Sequence, residues 1–112
     1  TVREPGGLAM SSRNAYLDEF SRTGAQSIYR SLKWAEKQVR GRIRNVSRLK
    51  REMVRSIEAG DCFEVDYIGF CNPVTLESKK TAGPPLVILI AARCLVKGPA
   101  HGRRYIDNLI IR

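Results

Sequence analysis

The hydrophobic period of this chain changes from 3.6 residues to two residues near Gly60, and this change limits the folds that the sequence can adopt. Before Gly60, apolar residues recur at steps of three and four, which is typical of amphipathic helices. After Gly60, apolar and polar residues alternate, which is typical of strands. Helices followed by strands within 112 residues predict one α+β domain, with the helices on one face of a small sheet.

Two amphipathic helices are predicted before the change of period. The first spans about residues 18–39, with Asp18 as its N-cap. The second spans about residues 45–59, with Asn45 as its N-cap and Gly60 as a left-handed stop. The face of the second helix opposite its apolar stripe is almost entirely Arg and Lys.

Three strands are predicted after the change of period. Residues 63–67 alternate apolar and acidic, which predicts a strand with one solvated face. Residues 86–92 are apolar on both faces and predict a central buried strand, with Leu89 in the core. Residues 105–111 predict the third strand. The expected fold is therefore two amphipathic helices packed on a three-stranded, mainly antiparallel sheet, with residues 1–112 forming a single domain.

Composition excludes several classes of protein. Hydrophobic residues make up 43% and charged residues 28%, which argues against a disordered tail and a coiled coil. The longest apolar stretch, residues 84–92, is too short to span a membrane. The three cysteines are odd in number and include no CxxC pair, so we expect no disulfide framework, no metal site and a reducing, cytoplasmic compartment.

Positive charge is concentrated in one part of the chain. The net charge is +9, and residues 30–55 hold ten basic and two acidic side chains, which give that segment +8. One hypothesis is a small nucleic-acid-binding module that uses the Arg/Lys face of residues 40–55. Trp34 is the only aromatic residue in the segment, so no stacking platform accompanies the charge, and a solvated helix face is the simpler interpretation.

The sequence holds few groups for acid–base or nucleophilic catalysis, whereas its opening segment suits an anion. His101 is the only histidine, and no carboxylate pattern around it suggests a triad. Residues 7–14 combine backbone N–H groups, the hydroxyls of Ser11 and Ser12 and the guanidinium of Arg13. Such donors can hold a polyphosphate and neutralise its charge, although the same residue types also form ordinary turns and helix caps.

The opening segment also carries a family resemblance. Residues 2–17, VREPGGLAMSSRNAYL, resemble the start of the C-terminal domain of the pantothenate synthetase (pantoate–β-alanine ligase) family. The family pattern there is R-x-x-D-G-L-A-[ML]-S-S-R-N-x-Y-L, the counterpart of the KMSKS loop of class I aminoacyl-tRNA synthetases. Shorter similar segments follow in family order, at residues 29–32, 65–68, 72–77, 91–93 and 104–108.

This resemblance implies a site and a reaction. It implies that Met10, Ser11, Ser12 and Arg13 contact ATP, that Val2 contacts ATP through its backbone, and that Arg13 stabilises charge in the transition state. The implied substrates are ATP, with Mg²⁺ accompanying the nucleotide, pantoate and β-alanine, and the implied intermediate is pantoyl adenylate. The implied full-length enzyme is a homodimer, with no membrane or nucleic-acid partner.

The resemblance also implies what this chain lacks. The family's N-terminal Rossmann-like domain, with its HxGH-type motif and most of its substrate pockets, has no counterpart in these residues. Since the sequence also begins at Thr1 rather than Met, we expect a processed, trimmed or partial chain: the lid domain of an AMP-forming ligase, inactive in isolation.

Three departures from the family pattern stand out. Gly6 replaces the usual Asp, which we expect to alter loop closure. Cys71-Asn72 replaces a common Val-Asp, and the loop at residues 94–103 is longer than in the family. We expect these last two to affect the surface more than the chemistry.

Overall fold

The helices and strands follow one another in the order that the change of period predicts. The computed structural model describes residues 2–112, and for residues 19 and 20 the backbone only. In this part of the chain a short 3₁₀ helix (Ser12–Tyr16) is followed by α1 (Glu19–Arg40), α2 (Val46–Glu58), β1 (Phe63–Cys71), β2 (Leu86–Cys94) and β3 (Arg104–Ile111). The predicted α+β class is confirmed.

Both helices begin at the predicted capping residues. The Asp18 carboxylate accepts a hydrogen bond from the backbone N–H of Ser21 at 2.7 Å. The Asn45 side chain likewise accepts from the backbone N–H of Arg48 at 3.0 Å. Each cap satisfies an N–H group that the helix itself leaves without a partner.

The predicted left-handed stop at Gly60 is wrong. The residue in the left-handed region is Asp61, with φ at 56°. The turn after α2 is closed by the N–H of Asp61, which donates to the carbonyl of Glu58 at 3.1 Å, and this places the change of direction one residue later. Aspartate tolerates this conformation better than most residues, so glycine is not required there.

The three strands form an antiparallel sheet in the order β1-β2-β3. The central position predicted for β2 is confirmed. β1 contains the alternating residues 63–67, ends at Cys71 directly before Asn72-Pro73, and has a bulge. Val65 pairs with Ala92 while Tyr67 pairs with Ala91, so Asp66 is an extra residue in β1.

Both helices pack on one face of the sheet, and this face forms the core. It presents large buried side chains to the apolar stripes of α1 and α2, namely Phe63, Phe70, Leu86, Ile88, Ile90 and Ile111. The opposite face carries Tyr67, Ile106 and Ile110, which are 48%, 67% and 50% exposed.

The expectation that Leu89 lies in the core is wrong. Leu89 alternates with Ile88 and Ile90 along β2, so its side chain lies on the face opposite the helices and is only half-buried. Apolar residues on both faces of a strand show that the strand is central. They do not show which face the helices cover.

Two further structural features concern the cysteines and the helices. Cys62, Cys71 and Cys94 are buried and their thiols are free. In residues 2–112 no helix has both the length and the apolar character that crossing a membrane requires.

The two faces of β2 predict different costs of truncation. Ile88→Ala should lower the free energy of unfolding by about 2–5 kcal/mol, because it leaves a cavity in the core. Leu89→Ala should cost about 1 kcal/mol, because a half-buried side chain loses less apolar burial. Urea titrations measure both values, with exposed Arg51→Ala as a control that should stay within about 0.5 kcal/mol. Equal losses for Ile88→Ala and Leu89→Ala would contradict the assignment of faces.

Candidate functional site

The opening segment folds back on itself as a tight loop. Arg3 and Ala9 form an isolated antiparallel bridge, and the N–H of Met10 donates to the carbonyl of Val2 at 2.8 Å. Gly7 forms the turn with φ at 96°, and a Cβ at this position would lie 2.2 Å from the ring of Tyr29. Glycine is therefore required at position 7 by both the backbone conformation and the close approach of the ring.

An ion pair fastens this loop to β3. The Arg3 guanidinium donates to both carboxylate oxygens of Asp107, with Nη2 to Oδ1 at 2.9 Å. Asp107 is 7% exposed. The same guanidinium donates to the carbonyl of Gly7 at 3.0 Å and lies 4.2 Å from the centroid of the Tyr29 ring. The geometry is bidentate and the charges are paired, so Asp107 can be buried as an anion.

Glu4 fastens the other side of the loop to α1 and to the 3₁₀ helix. Its carboxylate accepts from the guanidinium of Arg22 and from Asn14 Nδ2, the latter at 2.7 Å. Asn14 Nδ2 also donates to the carbonyl of Ala9 at 2.9 Å. The Arg22 hydrogen bond, opposed by partial burial, lowers the pKa of Glu4 below its ordinary value.

The end of the loop is held from β3. The Tyr105 hydroxyl donates to the backbone carbonyl of Arg13 at 2.7 Å, and burial raises the pKa of this hydroxyl. The Arg103 guanidinium stacks 3.7 Å from the centroid of the Tyr16 ring. The backbone of the 3₁₀ helix is thereby fixed, while the side chain of Arg13 remains exposed.

A cleft of about 190 Å³ lies between this loop and β3. Its wall includes three of the five residues singled out from the sequence: Met10, Ser11 and Arg13. Val2 is joined to Met10 through the backbone, but its side chain is 73% exposed. Ser12 is exposed at the start of the 3₁₀ helix, next to the cleft rather than in its wall.

Ser11 is the N-cap of the 3₁₀ helix. Its hydroxyl accepts from the backbone N–H of Arg13 at 3.2 Å. This contact turns the chain so that Ser12 and Arg13 begin a new helical segment beside the cleft. Ser11 therefore has two roles: it caps the 3₁₀ helix, and it lines the cleft.

The charges around the cleft favour an anion. Arg13 and Arg104 both line it, whereas the carboxylate of Asp107 is already paired with Arg3. His101 is exposed in the loop before β3 and is not part of the wall. Among the described residues, no group of three or more His, Cys, Asp or Glu side chains could hold a metal ion. The arrangement can bind and polarise an anion, but it offers no acid–base pair.

Comparison with known proteins gives the family. The sequence profile described as Pantoate-beta-alanine ligase matches residues 1–110. The chain belongs to this family. The pantothenate synthetase of Methylococcus capsulatus is 42% identical over 112 residues, which is 99% of this chain and 36% of that protein. The pantothenate synthetase of Pseudothermotoga lettingae is 40% identical, over 98% of this chain and 37% of that protein.

A solved structure agrees with this assignment. The pantothenate synthetase of Thermus thermophilus superposes with a TM-score of 0.77 at 33% identity, and the match covers 98% of this chain and 37% of that one. The chain thus spans somewhat more than a third of the length of the pantoate–β-alanine ligase relatives that it matches.

At two of the departures from the family pattern, Gly6 and Asn72, the structure could also hold the residue that is usual in the family. The atoms nearest to a Cβ at Gly6 belong to the flexible end of Gln26, and the backbone there is not left-handed, so this position demands glycine less than position 7 does. Asn72 accepts from the N–H groups of Val74 at 2.8 Å and Thr75 at 3.1 Å, and an aspartate could accept both bonds in the same way.

The longer loop before β3 reaches the site. Its residue Arg103 stacks on Tyr16 in the 3₁₀ helix. The loop therefore contacts the 3₁₀ helix beside the cleft, and the expectation that it affects the surface more than the chemistry stays a prediction.

The part of the cleft wall that β3 supplies was not predicted from the sequence. Arg104, Tyr105 and Asp107 lie in a segment that resembles the family pattern, but nothing in the sequence joins them to residues 3–13. The available signal was the pair of similar segments at the two ends of the chain. Those two segments indicate that the two ends of the chain belong to one site, but they do not give the geometry of the contact.

The basic segment at residues 30–55 is partly explained by structural contacts. Glu36 pairs with Lys33 at 2.7 Å and with Arg40 at 3.2 Å. Arg44 donates to the carbonyl of Val39 at 2.6 Å, which closes the end of α1. The alternative hypothesis of a nucleic-acid-binding module is unsupported by the relatives of this chain.

The Glu4 contacts predict a pH dependence of stability. Because the pKa of Glu4 in the folded chain is below the ordinary 4.5, its contribution is fully present above that pH. The contribution is lost as the pH falls through the folded pKa. The difference in unfolding free energy between wild type and Glu4→Gln should therefore be larger at pH about 6 than at pH about 3. Urea titrations at both values measure it, and exposed Glu77→Gln should show a smaller pH dependence. A difference for Glu4→Gln that is constant with pH would contradict this prediction.

Proposed function

We propose that this chain is the C-terminal lid domain of a pantoate–β-alanine ligase and that its cleft binds the phosphates of ATP. The observation that carries the proposal is the placement of Met10, Ser11 and Arg13 in one cationic cleft, on a loop fixed by two ion pairs. Family membership supports the reaction, and the resemblance of residues 2–17 to a nucleotide-contacting loop supports the role of the cleft.

The proposed reaction has two steps. The pantoate carboxylate attacks the α-phosphorus of ATP, which forms pantoyl adenylate and releases pyrophosphate. The amine of β-alanine then attacks the acyl carbon, which forms the amide and releases AMP. Closure of a lid over the adenylate suits this sequence, because water would hydrolyse the mixed anhydride.

Arg13 is the proposed transition-state contact. Negative charge grows on the bridging and terminal oxygens of pyrophosphate as it departs, and a planar guanidinium can donate to two oxygens at once. The hydroxyls of Ser11 and Ser12 and the backbone at Val2 and Met10 supply neutral contacts that exist before and during the reaction. The Tyr105 and Ser11 hydrogen bonds fix the backbone of Arg13, which holds the base of its side chain beside the cleft.

The residues around the cleft also bear on Mg²⁺. Asp107 is the only carboxylate in the described wall, and both of its oxygens accept from Arg3. Mg²⁺ prefers carboxylate, phosphate and water oxygens. We therefore infer that Mg²⁺ arrives on the phosphates of the nucleotide and that the described wall of the cleft provides no carboxylate ligand for it.

The pockets for pantoate and β-alanine belong, in this proposal, to the portion of the ligase outside the matched third. The complete enzyme is proposed to be a homodimer. It is also proposed to be cytoplasmic, in keeping with the three free, buried cysteines.

The isolated chain should be inactive. Its described cleft offers cationic donors but no general acid or base, so the purified 112-residue protein should form no pantothenate from ATP, pantoate and β-alanine. A coupled assay of AMP release measures this. The Methylococcus capsulatus enzyme is the positive control, and turnover by the rigorously purified chain would contradict the lid assignment.

A chimera tests the role of Arg13. This chain replaces the matching segment of the Methylococcus capsulatus enzyme, and quench-flow follows formation of pantoyl adenylate. Arg13→Ala should lower kcat for adenylation by roughly 10²–10³, the usual loss on removing one preorganised donor. Arg13→Lys should recover part of this loss, and Ser12→Ala should raise KM for ATP more than it lowers kcat.

The matched controls are Arg48→Ala and Arg51→Ala, which remove exposed cations from α2 and should leave both constants nearly unchanged. If the Arg13→Ala chimera formed pantoyl adenylate with the kcat of the unmutated chimera, the role assigned to the loop would be wrong.

A further inference from the structure

A second guanidinium lines the cleft without an assigned role. Arg104 begins β3 and shares the wall of the cleft with Arg13. Its side chain is 54% exposed, so it is accessible to a ligand. Asp107 in the same wall is neutralised by Arg3, so Arg13 and Arg104 give the wall a positive charge, which Asp66, outside the wall, offsets in part through its ion pair with Arg104.

The position of Arg104 in the sheet is unfavourable on local grounds. It pairs directly with Arg93 across β2 and β3, and like charges directly opposite one another destabilise antiparallel strands. A local rule broken in this way is typical of functional sites.

Asp66 compensates for this repulsion. Its Oδ2 lies 3.0 Å from Nε of Arg104 and 3.4 Å from Nη2 of Arg93. The β1 bulge between Val65 and Tyr67 supplies this extra residue, opposite the two arginines. The nearest approach of Asp66 to Arg104 is at Nε. The guanidinium also carries two Nη atoms, which are the donors that can bind two phosphate oxygens at once.

We propose that Arg104 is a second phosphate-contacting residue, which together with Arg13 brackets the pyrophosphate portion of the nucleotide. Asp66 is the positioning residue that holds Arg104 beside the cleft. The proposal rests on the phosphate-binding function proposed above and adds a contact from β3. Two cations are suited to a group that carries several negative charges and gains more as it leaves.

Arg93 provides the matched control. It contacts the same carboxylate and is similarly exposed, at 46% of its side chain, but it does not line the cleft. Removing Arg93 or Arg104 changes the net charge by the same amount. A difference in anion affinity between the two variants therefore reports direct contact with the anion rather than long-range electrostatic attraction.

The test is a titration of the 112-residue chain with Mg²⁺-pyrophosphate and with Mg²⁺-ATP, followed by backbone amide NMR shifts at residues 10–13. Arg104→Gln should weaken binding of pyrophosphate by about tenfold, as expected for loss of a charge-assisted contact. Arg93→Gln should weaken it by less than about twofold, since its charge acts through solvent. Arg104→Lys keeps the positive charge but loses the paired N–H donors of the guanidinium, so it should bind pyrophosphate with intermediate affinity. This variant remains informative if Arg104→Gln does not fold.

Asp66→Asn tests the positioning role. Removal of a nearby negative charge alone would strengthen anion binding, so weaker binding by Asp66→Asn would show that Arg104 has lost its position. In the Arg104→Gln background the same substitution should have no weakening effect. Stronger binding by Asp66→Asn in the wild-type background would overturn the positioning role.

The remaining outcomes separate the two proposals. If the wild-type chain binds both ligands, Arg13→Ala loses them and Arg104→Gln binds like wild type, the Arg104 proposal is wrong and the phosphate-binding cleft stands. If the wild-type chain shows no shifts at millimolar ligand, both proposals fall together.

Discussion

The Arg3–Asp107 ion pair is the contact on which the rest of the site depends. It joins two residues 104 positions apart and closes the space between the opening loop and β3 into a cleft. Asp107 lies on the core face of the sheet, opposite Ile90, where an unpaired carboxylate would be costly. Loss of Arg3 would therefore leave a buried charge without a partner as well as a loose loop. One interaction thus sets both the stability of this end of the sheet and the shape of the site.

The other contacts of the loop act together with this ion pair to hold the loop in place. Gly7 lets the chain turn close to Tyr29, and the Tyr29 ring in turn lies against the guanidinium of Arg3. Glu4 and Tyr105 then hold the two ends of the segment that contains the proposed phosphate contacts. Donors fixed in advance cost little reorganisation when charge develops, which is the main physical route to transition-state stabilisation. The loop is therefore rigid where its backbone is anchored, while the Arg13 side chain remains exposed to a ligand.

Local chemistry made much of the fold predictable, because caps and periodicity act within a few residues. The N-caps at Asp18 and Asn45 are satisfied as expected, and the change of period near Gly60 separates helices from strands. One failure is local, since Asp61 rather than Gly60 adopts the left-handed conformation after α2, and the others are tertiary. An apolar pattern on both faces of β2 could not say that the helices cover the Ile88 face and leave Leu89 half-buried. In the site, the motif around Arg13 was visible in the sequence, but the wall that β3 contributes depends on contacts between the ends of the chain.

The division of charge suits the role proposed for this chain, as one part of a larger ligase. Among the described residues of the cleft wall, the only carboxylate is neutralised, two guanidiniums remain, and His101 lies elsewhere. A site of this kind can attract a polyphosphate and stabilise its departure, but it cannot move a proton or activate a nucleophile. Those tasks need groups placed on the other side of the substrate. In the proposed ligase, a cationic wall on one side of the nucleotide would meet the leaving group without adding reactive groups that could divert the acyl adenylate, and its arginines would attract the polyphosphate.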